Sequence, residues 1–173
     1  NIGAYGVEMH EHFVELEALD IATGETRAFS NDECKFSYRN SIFKQEAKNR
    51  YIILSVTWQL NKNPEPVLKY IHLKNELKGR DPVTIRDMRE AVIRIRQSKL
   101  PDPAVIGNAG SFFKNPVISN EMLEELEKKY RGIPCFPVDK ENSKVPAAWL
   151  IEMCGWRGKR VGDAGVYDKQ ALV

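Results

Sequence analysis

Gly107-Asn108-Ala109-Gly110-Ser111-Phe112-Phe113-Lys114-Asn115-Pro116 is the most informative stretch of the chain. Two glycines bracket a tight backbone, and glycine permits close approach to a ligand and conformations closed to other residues. A serine placed directly after them has its hydroxyl positioned by backbone rather than by a long arm. That suits a proton donor or a nucleophile. Phe112 and Phe113 are expected to anchor the segment, Lys114 and Asn115 offer a cation and an amide, and Pro116 ends it. Spacing alone reads as a turn, because Gly, Asn and Ser all favour turns. A nucleotide phosphate loop is excluded, since Lys114 is not followed by Ser or Thr. So is a Gly-x-Ser-x-Gly elbow.

Working outward, Leu100-Pro101-Asp102-Pro103 precedes this segment and marks the best internal boundary. Before it, a helix is expected from Thr84 to about Ser98. Ile85, Met88, Val92 and Ile95 share its inner face, and Arg86, Arg89, Glu90, Arg94 and Arg96 lie elsewhere as a solvated face. Residues 13–29 read as a hairpin, with Val14, Leu16 and Ala18 alternating with Glu15 and Glu17 around a turn at 22–25. Ser30–Glu33 reads as a capped helical turn, and Tyr51–Leu60 as a β-branched, aromatic strand. After the Gly-Ser segment, Asn120 caps an expected helix over 121–130, with Leu123 and Leu126 inward and Gly132 near its end. Residues 133–137 read as a proline-containing loop, 145–153 as a helix, and 160–167 as a strand interrupted by glycines. Strands and helices mix without regular βαβ alternation, so the expected class is α+β.

The chain has 173 residues, 42% of them hydrophobic and 29% charged, an ordinary soluble balance. A domain of this size buries roughly 70% of its unfolded surface, which permits a real core. A net charge of +2 argues against a dedicated nucleic-acid binder. Cys34, Cys135 and Cys154 form no CxxC pair, against a disulfide framework or a zinc site. No apolar run approaches the roughly 20 residues of a membrane span. His10 and His12 sit two apart, but no third ligand stands near them, so no metal site is expected.

Six segments occur in order: residues 1–6 (Asn-Ile-Gly-Ala-Tyr-Gly), 38–44 (Tyr-Arg-Asn-Ser-Ile-Phe-Lys), 66–70 (Pro-Val-Leu-Lys-Tyr), 99–103 (Lys-Leu-Pro-Asp-Pro), 107–116 and 170–173 (Gln-Ala-Leu-Val). Together they resemble the UDP-N-acetylenolpyruvoylglucosamine reductases, also called UDP-N-acetylmuramate dehydrogenases, in the subtype that closes a tyrosine loop over its substrate. The resemblance implies part of a two-subdomain, vanillyl-alcohol-oxidase-like FAD domain over residues 1–100. A C-terminally incomplete α+β substrate domain would follow over 101–173. It implies that both ends of the family's chain are missing, and that the isolated 173 residues turn over poorly. It implies FAD as cofactor and NADPH as co-substrate, reducing UDP-N-acetylglucosamine enolpyruvate to UDP-N-acetylmuramate for peptidoglycan. A monomer in the bacterial cytoplasm is expected, with no nucleic-acid or membrane partner.

Residue by residue, Arg39 matches the family's arginine at the substrate carboxylate, and Ser111 its proton donor. Tyr70, Lys99, Asn115 and Gln170 match residues that hold the diphosphate and sugar. Asn1, Ile2, Gly3 and Ala4 match a segment along the flavin, and Arg96 is placed near the cofactor pocket. Two alternatives stay open: a non-catalytic nucleotide-sugar-binding module derived from such an enzyme, and a related flavin oxidoreductase with another substrate.

Overall fold

The structure is a computed structural model that describes residues 1–173. It divides into two compact units, Asn1–Ile93 and Arg94–Val173.

The first unit opens with a small hairpin, β1 (Gly3–Ala4) and β2 (Val7–Glu8), in which Ala4 pairs with Val7. Only Tyr5 and Gly6 remain for the loop, and both have positive φ, +55° and +87°. That is the backbone a two-residue turn needs to match strand twist. A three-stranded antiparallel sheet follows: β3 (Phe13–Asp20) lies between β4 (Thr26–Ser30) and β5 (Tyr51–Trp58). Its core consists of Phe13, Leu16, Ala18, Phe29, Cys34, Ile42 and Ala47. Phe29 meets the Tyr51 and Phe43 rings edge-on at 5.0 and 5.3 Å.

The expected hairpin over 13–29 is present, with one correction on its inner face. A register shift between Phe13 and Glu15 turns Phe13 into the core and leaves Val14 43% exposed. The expected strand from Tyr51 ends at Trp58 rather than Leu60, and its Ile52, Ile53, Leu54, Val56 and Trp58 side chains are exposed. Asp20 is buried at the end of β3, where it accepts from Ala22 N at 3.0 Å and Arg50 Nε at 2.9 Å. The Arg50 hydrogen bond, then that of Ala22, holds its carboxyl below the usual carboxylate range.

Ser30 caps α1 (Asn31–Cys34) through a capping box, its own N–H bonded to the Glu33 carboxylate at 2.9 Å. Farther on, α2 (Ile71–Glu76) buries Leu73. The long α3 (Ile85–Lys99) starts one residue after Thr84. Thr84 receives Asp87 N on Oγ1 at 3.2 Å and returns its own N–H to the Asp87 carboxylate at 3.0 Å. Ala91 and Ile95 are the buried residues of α3, with Met88 and Val92 half-buried. Ile85, expected on that face, is exposed in the first turn.

In the second unit β8 (Asn142–Lys144) is the central strand between β6 (Val117–Ser119) and β7 (Phe136–Pro137). The stretch 133–137, read as loop, therefore contributes a short strand. It is closed by a turn in which Asp139 accepts from Glu141 N and Asn142 N, both at 2.8 Å. Between β6 and β7 runs α4 (Asn120–Lys129). Its cap is Ser119, whose hydroxyl accepts from Met122 N at 3.2 Å, not Asn120. Asn120 instead accepts from the Ser143 hydroxyl at 2.8 Å, tying the helix to β8.

Leu123, Ile133 and Val145 form this unit's core, with Ile118, Leu126, Trp149 and Leu150 packed on it. Helix α5 (Ala147–Met153) begins after Pro146, two residues later than the pattern predicts. The strand expected over 160–167 is a minimal hairpin, β9 (Arg160–Val161) with β10 (Ala164–Gly165). Gly162 at φ +59° turns the chain after two residues, so no longer strand forms. Every strand pair is antiparallel.

Candidate functional site

In the first unit the candidate residues gather on the β1–β2 hairpin. Met9 N donates to Ile2 O at 2.7 Å, which closes the hairpin's base. Asn1 Nδ2 donates to Glu8 Oε2 at 2.7 Å and lies 3.2 Å from His10 Nδ1, while Asn1 Oδ1 is buried with no partner. Arg39 reaches across to the same hairpin: its Nη2 donates to Gly3 O at 2.9 Å. The Arg39 backbone has φ +54°, a conformation rare for a non-glycine residue. Its carbonyl accepts from Lys44 Nζ at 3.1 Å. The guanidinium therefore stands at the edge of residues 1–4 with its remaining donors free of that carbonyl. Tyr70 completes the group, its ring edge-on to Tyr5 at 5.4 Å.

The second unit presents the Gly-Ser segment. Gly110 has φ +68°, and its N–H donates to Asn108 Oδ1 at 3.1 Å, an Asx-type turn. Ser111 follows directly and is exposed. Phe112 N donates to Leu172 O at 3.0 Å, so the segment is fixed by backbone to the stretch that carries Gln170. Gln170 Oε1 in turn accepts from Leu172 N at 3.4 Å. Asn115 Oδ1 accepts from Ala147 N at 2.9 Å and caps α5. The two phenylalanines are not buried anchors. Phe112 and Phe113 are 48% and 61% exposed.

Residues 105–110 also line a cavity of about 940 Å³ with Lys159, Arg160 and residues 163–168. Its wall is mixed: Lys159 and Arg160 are balanced by Asp163 and Asp168, with Arg160 Nη2 3.7 Å from Asp163 Oδ1, beside apolar surface. Lys99 ends α3 half-buried, and Arg96 lies exposed one turn earlier. The structure thus brings Asn1, Gly3, Arg39 and Tyr70 together at one hairpin, and ties the segments of Ser111 and Gln170 by one backbone hydrogen bond, Phe112 to Leu172. Asn115 is tied to α5 instead. Lys44 and Tyr5, which fix Arg39 and Tyr70, escaped the sequence reading. Their signals were the five-residue spacing Arg39 to Lys44 and a tyrosine before a turn glycine.

Residues 102–173 match the family described as UDP-N-acetylenolpyruvoylglucosamine reductase, C-terminal domain. A UDP-N-acetylenolpyruvoylglucosamine reductase from Bdellovibrio bacteriovorus is 51% identical over 174 residues, covering 100% of this chain and 52% of that protein. One from Flavobacterium johnsoniae is 48% identical over 176 residues, again with 100% and 52% coverage. A crystal structure of the reductase from Thermus caldophilus superposes with a TM-score of 0.57 at 22% identity, over 99% of this chain and 45% of that one, a likeness of fold. The chain spans about half the length of the curated relatives it matches. With about half of its residues identical over its full length, the chain belongs to the UDP-N-acetylenolpyruvoylglucosamine reductase family.

Proposed function

We propose that this chain, extended to the full length of its relatives, reduces UDP-N-acetylglucosamine enolpyruvate to UDP-N-acetylmuramate with NADPH and FAD. The setting is peptidoglycan precursor synthesis in the bacterial cytoplasm. No helix is long and apolar enough to cross a membrane. Residues 1–100 would contribute part of a vanillyl-alcohol-oxidase-like FAD domain and residues 101–173 most of the substrate domain, acting as a monomer.

The observation that carries the reading is the Arg39 to Gly3 hydrogen bond, which sets a guanidinium beside the segment assigned to the cofactor. That segment fits the cofactor in one testable respect. Asn1 Oδ1 is a buried acceptor without a donor, and a heterocyclic N–H supplies one. Asn1, Ile2, Gly3 and Ala4 would hold the ring, with Arg96 near the pocket. When bound, FAD supplies the hydride that NADPH provides.

The chain's own residues then do the rest. Hydride addition to the enol-ether carbon pushes charge toward the substrate carboxylate. The Arg39 fork, preset by its backbone and by Lys44, stabilises that charge better than a lysine would. Ser111 gives its proton to the neighbouring carbon. A hydroxyl is a weak acid, so the role requires fixed placement and a strongly basic, enolate-like acceptor. Lys99, Asn115 and Gln170 bind the diphosphate and sugar. Asn115 does so through its amide N–H groups, its oxygen being held by α5. Tyr70 closes over the substrate and excludes water.

The test is NADPH oxidation by the extended, FAD-supplemented chain with and without UDP-N-acetylglucosamine enolpyruvate. Substrate-dependent oxidation is expected. Substrate binding without oxidation would assign the chain to a nucleotide-sugar-binding module. Oxidation indifferent to this substrate would assign it to a different flavin enzyme.

A further inference from the structure

We infer that Tyr5 is a positioning residue for Tyr70, seating the segment 67–70 against the β1–β2 turn in the closed position. This rests on the reading of Tyr70 as a substrate-closing residue.

Four observations converge on it. The Tyr5 and Tyr70 rings meet at 5.4 Å with their planes at 88°, the edge-to-face arrangement that aromatic pairs favour. Tyr5 holds this pose from φ +55°, a region that residues with a Cβ rarely occupy, so the turn presents its ring at a conformational cost. Gly6, next in the turn, has φ +87°, and a Cβ there would lie 3.3 Å from Lys69 Cβ and 3.5 Å from Tyr70 N. The Tyr70 segment therefore packs closely on the turn, at a position whose positive φ favours glycine. The Tyr70 ring is held on a further side by His72, 5.3 Å away and tilted 53°.

The two partners differ in stiffness. The hairpin is fixed by its own pairing, by Met9 N on Ile2 O and by Arg39 on Gly3 O. The stretch 64–69 has no strand or helix structure of its own. A rigid turn is thus the platform and the irregular segment the part that is placed. The turn thus gives Tyr70 a fixed seat when the segment closes over the substrate. Burial, and then the neighbouring Tyr5, pushes the Tyr70 phenol up, so it remains a protonated donor for a phosphate oxygen.

The experiment uses the extended, FAD-loaded chain and four variants: Tyr5→Ala, Tyr5→Phe, Tyr70→Ala and the Tyr5→Ala/Tyr70→Ala double variant. Tyr5→Ala is expected to raise KM for UDP-N-acetylglucosamine enolpyruvate by roughly two- to tenfold, the worth of one edge-to-face pair. Tyr5→Phe keeps the ring edge and leaves KM where it was. The double variant is no worse than Tyr70→Ala alone, because Tyr5 acts only through Tyr70. NADPH oxidation with an artificial electron acceptor stays at the wild-type rate in Tyr5→Ala and Tyr5→Phe.

An unchanged KM in Tyr5→Ala overturns the inference while leaving the proposed function intact. Effects that multiply in the double variant also overturn it, since Tyr5 would then act independently of Tyr70. Loss of the artificial-acceptor rate in Tyr5→Ala would mark a structural role and do the same. An unchanged KM in Tyr70→Ala would overturn the assignment of Tyr70, and the inference with it.

Discussion

Arg39 and Ser111 are the two residues assigned to the reacting end of the substrate, and the molecule positions them by opposite means. Arg39 is held by side chains. Its guanidinium is on Gly3 O, its carbonyl is under Lys44 Nζ, and its backbone is in a left-handed conformation. Ser111 is exposed on a segment held by backbone, through the Asx turn at Asn108–Gly110 and the Phe112 to Leu172 bond. A long flexible cation needs its arm fixed before it can favour a transition state. A hydroxyl one bond from the backbone needs only the backbone fixed. The difference predicts that Arg39 tolerates loss of one neighbour and Ser111 tolerates none.

The largest expected effect tests the serine. Ser111→Ala in the extended chain should lower substrate-dependent NADPH oxidation by roughly 10²–10⁴-fold, the usual worth of a placed proton donor. A Ser111→Cys variant should recover part of that, because the thiol keeps a proton at the same place. An alanine variant of normal rate would break the comparison at this end.

Arg39→Ala comes next, with a loss of roughly 10²–10³-fold in the same assay. Lys44→Met should cost much less than that, since Gly3 still holds the guanidinium. If Lys44→Met were as damaging as Arg39→Ala, the arginine's placement would depend on that single contact.

Smaller effects sharpen how each unit holds its shape. Asn115→Ala removes the oxygen that caps α5 and should cost about 0.5–2 kcal/mol of stability, read by denaturant unfolding. Asn115→Asp should recover most of it.

In the first unit Asp20 sets a pH dependence. Its carboxyl is held below the usual range, so folding favours the ionised form. That contribution is full above the ordinary carboxylate pKa of about 4 and is lost as pH falls through the lower folded value. Thermal melts of wild type and Asp20→Asn should therefore differ most near neutrality and converge on acidification. A gap that widened in acid would contradict the sign.

Local signals were legible where one side chain decides the structure. Ser30 with Glu33, and Thr84 ahead of the amphipathic run from Ile85, mark helix starts that the structure contains. The strand from Tyr51 was legible from β-branching. What failed depended on backbone detail or on partners distant in sequence. A bulge after Phe13 exchanges Val14 for Phe13, and Ser119 takes the cap because Asn120 is engaged by Ser143. Glycines reduce 160–167 to four paired residues. The β1–β2 hairpin has strands of two residues, too short for any period to register. At the site, the Gly-Ser segment was legible as a motif, whereas the bond from Arg39 to Gly3 crosses 36 positions and no spacing announces it.

The most direct measurement separates the two halves of turnover in the extended chain. Flavin absorbance is followed anaerobically, first on adding NADPH and then on adding UDP-N-acetylglucosamine enolpyruvate, for wild type, Arg39→Ala and Ser111→Ala. The account predicts wild-type bleaching by NADPH in all three, and slowed recovery of absorbance on adding substrate in both variants. Slowed bleaching, or recovery at the wild-type rate in either variant, would contradict the role given to that residue.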